Sequence, residues 1–232
     1  MKNNSRETRT VIVAALAVTM FTVSAAQAAI TLSGDNRFLS ASAEQIRPTG
    51  SSFSGPFTRT PAFGADQFGS VSAGVYRNNC EIYARSFQDS MVRSDFIKAA
   101  GNFEAGSLTP AGFTGTAKVV NRVEFTFTLN AGDFWQIRGT SSGNGFFEFY
   151  DPNGTLLLAN SGIIGGAAIT TGTYRLVAGD NANGNGQATT SGGQDLFGGA
   201  YDVRFEIIPT PGTVALGGIV SMMTLGTRRR RN

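Results

Sequence analysis

Residues 122–129 read Arg-Val-Glu-Phe-Thr-Phe-Thr-Leu, and the polar and apolar positions alternate without a break. A period of two places Val123, Phe125, Phe127 and Leu129 on one face of an extended strand and the polar residues on the other. The same pattern returns at the end of the body. Tyr201, Val203, Phe205 and Ile207 alternate there with Asp202, Arg204 and Glu206. Further strands are expected at Phe38 to Ala43, Val71 to Tyr76, Cys80 to Phe87, around Trp135 and Ile137, around Phe147 and Phe149, at Thr155 to Ala159 and at Thr173 to Ala178. Asn130-Ala131-Gly132-Asp133 and Asp151-Pro152-Asn153-Gly154 are turn sequences between them. Residues 46–69, rich in Gly, Pro and Ser, read as a long flexible loop. Residues 88–100 fit a short helix or a strand equally. Many short antiparallel strands with one buried face each predict an all-β antiparallel β-sandwich, jelly-roll-like, over residues 29–208.

Composition agrees with strands and turns. Charged residues are 15%, against about 25% in an average domain, and Gly supplies 30 positions with 18 Phe beside them. The absence of His removes His-based nucleophilic catalysis and every His-ligated metal site. Cys80 is the one cysteine, so no intrachain disulfide forms. It reads as a small buried apolar residue.

The formal charge is +3, but the ends carry it. Residues 1–28 hold a net +2 and residues 213–232 a net +4, leaving −3 on residues 29–212. Nucleic-acid binding needs cations clustered against phosphates. An acidic body with scattered basic residues excludes nucleic acid as a partner.

Both ends read as addresses. Lys2, Arg6 and Arg9 precede the apolar run from Val11 to Val23, and small residues follow at Ala26 and Ala28. Residues 1–28 therefore read as a Sec signal peptide cut between Ala28 and Ala29. At the other end, Pro209 and Pro211 stop the last strand. An apolar run from Thr213 to Thr227 follows, and then Arg228, Arg229, Arg230 and Arg231. As a helix the run is about 22 Å long at ~1.5 Å per residue, short of the roughly 30 Å hydrocarbon core. The arginines keep to the cytoplasmic side of a membrane.

The order Pro209-Thr210-Pro211, short apolar helix, arginine cluster resembles the PEP-CTERM sorting signal over residues 209–232. Thr210 stands where that family usually carries Glu. The resemblance implies export, a transient inner-membrane stage held by a short transmembrane helix, and processing by an exosortase-like enzyme. It also implies residence at the cell surface or in an exopolysaccharide matrix of a bacterium. Residues 119–208, with "FTFTLNAGD", "FFEFYDPNGTLLL", "GTYRLVAGDN" and "YDVRFEII", resemble bacterial pre-peptidase C-terminal modules. That resemblance implies an accessory or binding unit without catalysis.

Candidate sites in the body are few. The loop 179–195 is rich in Asp, Asn and Gly, and oxygen ligands in a flexible loop suit calcium. Asp180 and Asp195 bring its charge. An EF-hand register from Asn181 through Asn183, Asn185 and Gly186 meets Gly192 where the terminal Glu belongs, so a solvated hairpin loop is the stronger reading. Trp135, Tyr150, Phe146 and Tyr83 are candidates for a sugar-stacking platform, although their alternation sends several to the core. Asp and Glu number 16, yet no pair is spaced to mark the two carboxylates of a glycosidase. Asn153-Gly154-Thr155 has the form of a glycosylation sequon and reads as a turn. The expectation is a non-catalytic exported surface or matrix protein, or else a carbohydrate-binding module of that matrix.

Overall fold

The computed structural model describes residues 29–130, 134–180 and 186–208. They form an antiparallel all-β structure: β1 (Thr31–Arg47), β2 (Gly50–Arg59), β3 (Gln67–Arg77), β4 (Cys80–Val92), β5 (Phe96–Leu129), β6 (Phe134–Gly143), β7 (Gly145–Tyr150), β8 (Leu156–Ala159), β9 (Ser161–Ala168), β10 (Gly172–Asp180) and β11 (Gly186–Ile208). The hydrogen-bonded order is β8-β7-β10-β5-β11-β6-β9. β1 and β4 also pair with β5, carrying β2 and β3 on their far sides. The signal peptide and the sorting signal lie outside the described residues.

β5 organises the molecule. Its first part, 96–109, lies between β4 and residues 193–206 of β11. Its second part pairs with β1 on one side, and on the other with β10 and residues 186–191 of β11. The two parts meet at Pro110-Ala111-Gly112-Phe113, where Gly112 has φ +83°. Opposite them the register of β11 shifts between Ser191 and Gly193, and Gly192 has φ +75°. A residue with a Cβ adopts these angles only with strain, so glycine on both strands lets the pair bend together.

The bend brings both parts of β5 onto the same cores. Ile97 and Ala99 share one buried cluster with Val123, Phe125, Phe127 and Leu129, joined by Trp135, Ile137, Phe147, Phe149, Tyr174, Leu176 and Phe205. Phe103 and Ala105 share the second with Ala117 and Val119, together with Leu39, Val75, Cys80 and Ile82. Phe149 is the hub of the first, with ring centroids 5.4 Å from Trp135, 5.5 Å from Phe205 and 5.8 Å from Tyr174. Rings offset or tilted at these separations add about 1 kcal/mol per pair beyond area burial.

A polar layer joins the two clusters. The Tyr201 hydroxyl donates to Asn121 Oδ1 at 2.7 Å, and Gln88 Nε2 donates to the Arg122 carbonyl at 3.1 Å. Asn121 Nδ2 donates to the Phe87 carbonyl at 2.7 Å. These bonds tie β4 and β11 to β5 where its apolar faces are interrupted.

The alternating segments fold as expected, and Val123, Phe125, Phe127 and Leu129 are fully buried. The undecided stretch 88–100 is strand at both ends, closing β4 and opening β5. Two expectations are corrected. Residues 46–69 are not one long loop. Pro48-Thr49 makes a tight turn into β2, and residues 60–66 alone connect β2 to β3. Pro56 is tolerated because β2 pairs on one side only, and a bulge opposite Ser42 absorbs Gly55 and Pro56. Nor is 179–195 one hairpin loop. From Gly186 onward it is strand, with Gly186, Ala188 and Thr190 turned inward. Such small inward side chains carry almost no hydrophobic signal.

Candidate ligand-binding groove

A concavity of about 540 Å³ lies on the outer face of β5, β11, β6 and β9. Its floor and walls are Lys98, Arg138, Thr140, Ile163, Asp202 and Arg204, with Gly139 and Gly162. Register explains the arrangement. Lys98 stands opposite Arg204, Arg204 opposite Arg138, and Arg138 opposite Ile163, so one row crosses four strands. One step along, Asp202 faces Thr140. Partners in an antiparallel ladder project to the same face, and neighbouring strands are ~4.8 Å apart.

Two of the three cations are engaged. Lys98 Nζ lies 2.5 Å from Asp89 Oδ2. Arg204 Nε donates to Glu206 Oε2 at 3.0 Å, and its guanidinium sits 4.7 Å from the centre of the Phe96 ring. Arg138 is exposed and has no side-chain partner among the described residues. Ile163, opposite it, is 68% exposed. The groove thus offers a free guanidinium fork, an apolar shelf, one carboxylate and one hydroxyl. It suits an amphipathic ligand with an anionic group. Its lining holds one carboxylate, Asp202, where glycosidic hydrolysis ordinarily employs two.

The structure disperses the residues singled out from sequence. Asp180 is buried, and both of its oxygens are occupied: Oδ1 accepts Asn121 N–H at 3.2 Å and Oδ2 accepts Gly186 N–H at 3.1 Å. Burial pushes its carboxyl up to about 6, against the pull of those two bonds. Asp195 is exposed on β11, where Oδ2 accepts Thr189 N–H at 2.8 Å. Among the described residues no three acidic or cysteine side chains gather as a metal site would. Asp180 and Asp195 are thereby placed as backbone acceptors, and residues 181–185 of the loop lie outside the described residues.

The four aromatics form no platform. Trp135 is buried against Phe149 at 5.4 Å between centroids. The Tyr150 hydroxyl donates to Glu148, and Arg175 covers its ring at 4.4 Å. Phe146 is on the same strand, half-buried. Tyr83 is on β4, a strand that does not pair with β7. Its hydroxyl donates to Glu104 at 2.7 Å, and that bond pushes the phenol up to about 12. Asp151-Pro152-Asn153-Gly154 is the expected turn, with Asp151 Oδ1 accepting Asn153 and Thr155 N–H. Cys80 is buried in the second core, as expected. Ala29 is the first described residue and is exposed; Ala26, Ala28, Pro209, Thr210, Pro211 and Arg228 to Arg231 lie outside.

Sequence reading missed Lys98, Arg138 and Arg204 as a group. Arg204 is an outward polar residue of an alternating strand and Arg138 follows the expected strand position Ile137, whereas Lys98 falls in the undecided stretch 88–100. Their adjacency depends on the pairing of β5 with β11 and β11 with β6, which one-strand patterns do not carry. Comparison with known proteins finds no matching family model, no matching curated protein and no matching solved structure.

Proposed function

We propose that this chain is a non-catalytic protein exported through Sec to the cell surface or extracellular matrix, and sorted there through its C-terminal segment by an exosortase-like enzyme. One observation carries the reading: the ordered run of Pro209-Thr210-Pro211, apolar stretch and Arg228 to Arg231 directly after the last strand, which closes at Ile208. A signal-peptide pattern at residues 1–28 supports the same route. In this reading the body is a β-sandwich, jelly-roll-like, and the shared burial of both parts of β5 supports two packed layers. Mass spectrometry of the full chain, expressed with and without an exosortase, tests it. The expected result is loss of the arginine-bearing end only when the enzyme is present. An identical C-terminus in both hosts rejects the sorting reading.

The groove favours a second reading, a carbohydrate-binding module of an extracellular polysaccharide. Sugar rings pair hydroxyl edges with an apolar C–H face, and Asp202, Thr140 and Ile163 present matching groups side by side.

A further inference from the structure

We infer that the groove on β5, β11, β6 and β9 binds a carboxylated glycan, with Arg138 holding the carboxylate. The inference rests on the glycan-binding reading and narrows its ligand class.

The first ground is an electrostatic oddity in the ladder. Lys98, Arg204 and Arg138 stand directly opposite one another on three consecutive strands. Like charges in such positions destabilise a sheet. The fold offsets the repulsion at Lys98 with Asp89 and at Arg204 with Glu206. It leaves Arg138 without a partner among the described residues, on the wall of this concavity. A planar guanidinium with a free fork matches a carboxylate in bidentate geometry.

The second ground is what surrounds that fork. Ile163 extends the row beyond Arg138 as an exposed apolar surface, and Asp202 with Thr140 forms the adjacent row. A carboxylate on Arg138 places the C–H face of its ring against Ile163 and a ring hydroxyl toward Asp202. The acidic group of the groove thus meets hydroxyls, not the ligand's charge. A row of four strands spans about 14 Å at ~4.8 Å per strand, enough for more than one ring of a chain.

The third ground separates this ligand from a phosphodiester chain. Polyphosphate backbones are held by many cations at once. Here two of three are already neutralised, and residues 29–212 carry a net −3. One free fork beside an apolar shelf fits one carboxylate per contact.

The test uses the full chain on immobilised polygalacturonate, its fully methyl-esterified form, dextran and single-stranded DNA at 0.15 M salt. Polygalacturonate is expected to bind at least tenfold more tightly than the ester, which keeps the rings and loses the charge. Arg138→Ala is expected to lose that preference, Arg138→Lys to restore part of it, and Arg122→Ala, an exposed arginine away from the groove and paired with Glu124, to leave it unchanged. Equal binding of acid and ester overturns the carboxylate inference and leaves the glycan reading standing. Retention on none of the glycans overturns both, and tighter binding to DNA than to polygalacturonate overturns the ligand class. The acid–ester comparison needs no variant, so it decides even if a substitution fails to fold.

Discussion

Buried polar residues set the local chemistry of this chain more than its surface charges do. Arg37 is fully buried, with Nη2 on Asp35 Oδ2 at 2.5 Å and Nη1 donating to Ser90 at 3.0 Å. Asp35 also accepts Gly64 N–H at 2.7 Å, which holds the β2–β3 connection against β1. Asp180 performs the same service for the start of β11, and it titrates in an accessible range. Its carboxyl is raised from 3.8 to about 6, chiefly because burial disfavours the charged form. Tyr201 shares its surroundings but is pushed far above the ordinary phenol range by its own burial, so it stays protonated throughout. Between pH ~4 and ~6 Asp180 therefore holds its proton more in the folded state than in the unfolded one, and its contribution to stability falls as pH rises. A shift of roughly two units corresponds to about 3 kcal/mol at ~1.36 kcal/mol per unit. Urea midpoints measured from pH 4 to 7 are expected to decline more steeply for the wild type than for Asp180→Asn. Parallel profiles would remove Asp180 as the cause. In the sequence Asp180 stands out through the composition of its loop, which reads more strongly as a solvated hairpin than as a calcium site; its burial depends on β5 passing beside β10.

At the scale of elements, the strands follow their side-chain period and the bends follow glycine. β5 reads as 34 residues of strand, but Gly112 divides its pairing into two sectors. Nothing lies within 4 Å of where a Cβ at Gly112 would stand, so substitution there meets no steric barrier. The remaining penalty is the positive φ itself. Gly112→Ala is expected to lower stability by about 1–2 kcal/mol, and Gly112→Asn by less, since Asn tolerates this region better. Urea unfolding of the two variants checks the order; an unchanged midpoint for Gly112→Ala would show that the bend is not under conformational tension. The alternation that exposed the best strands was absent from β9, "SGIIGGAA", and from the start of β11, where Gly, Ala and Thr serve as the inward residues. Their strand character comes from finding a partner edge, β6 for β9 and β5 for β11. Local preference did not supply it.

Across the whole molecule, β5 and β11 supply buried residues to both apolar clusters, which otherwise draw on β6, β7 and β10 for the first and β1, β3 and β4 for the second. Breaking one exposes backbone that the other depends on. Unfolding is accordingly expected to be a single transition. The lone tryptophan, Trp135, reports the first cluster and the lone cysteine, Cys80, reports the second. Trp135 fluorescence and Cys80 thiol accessibility are expected to change at the same urea concentration. Separate midpoints would show two independent units. The groove belongs to this scale as well, because its row of Lys98, Arg204, Arg138 and Ile163 exists only where four strands align. The linear order of residues determined the all-β class, the inward faces of the alternating strands, the Asp151 turn and the two terminal patterns. Each of these depends on neighbours one to four positions apart. The tertiary structure decided that β5 folds over at Gly112, that Asp180 is buried, and that three cations from distant positions share one face. Those outcomes depend on which strand edges pair and in what register, and pairing energies between distant segments leave no mark in any short stretch of chain.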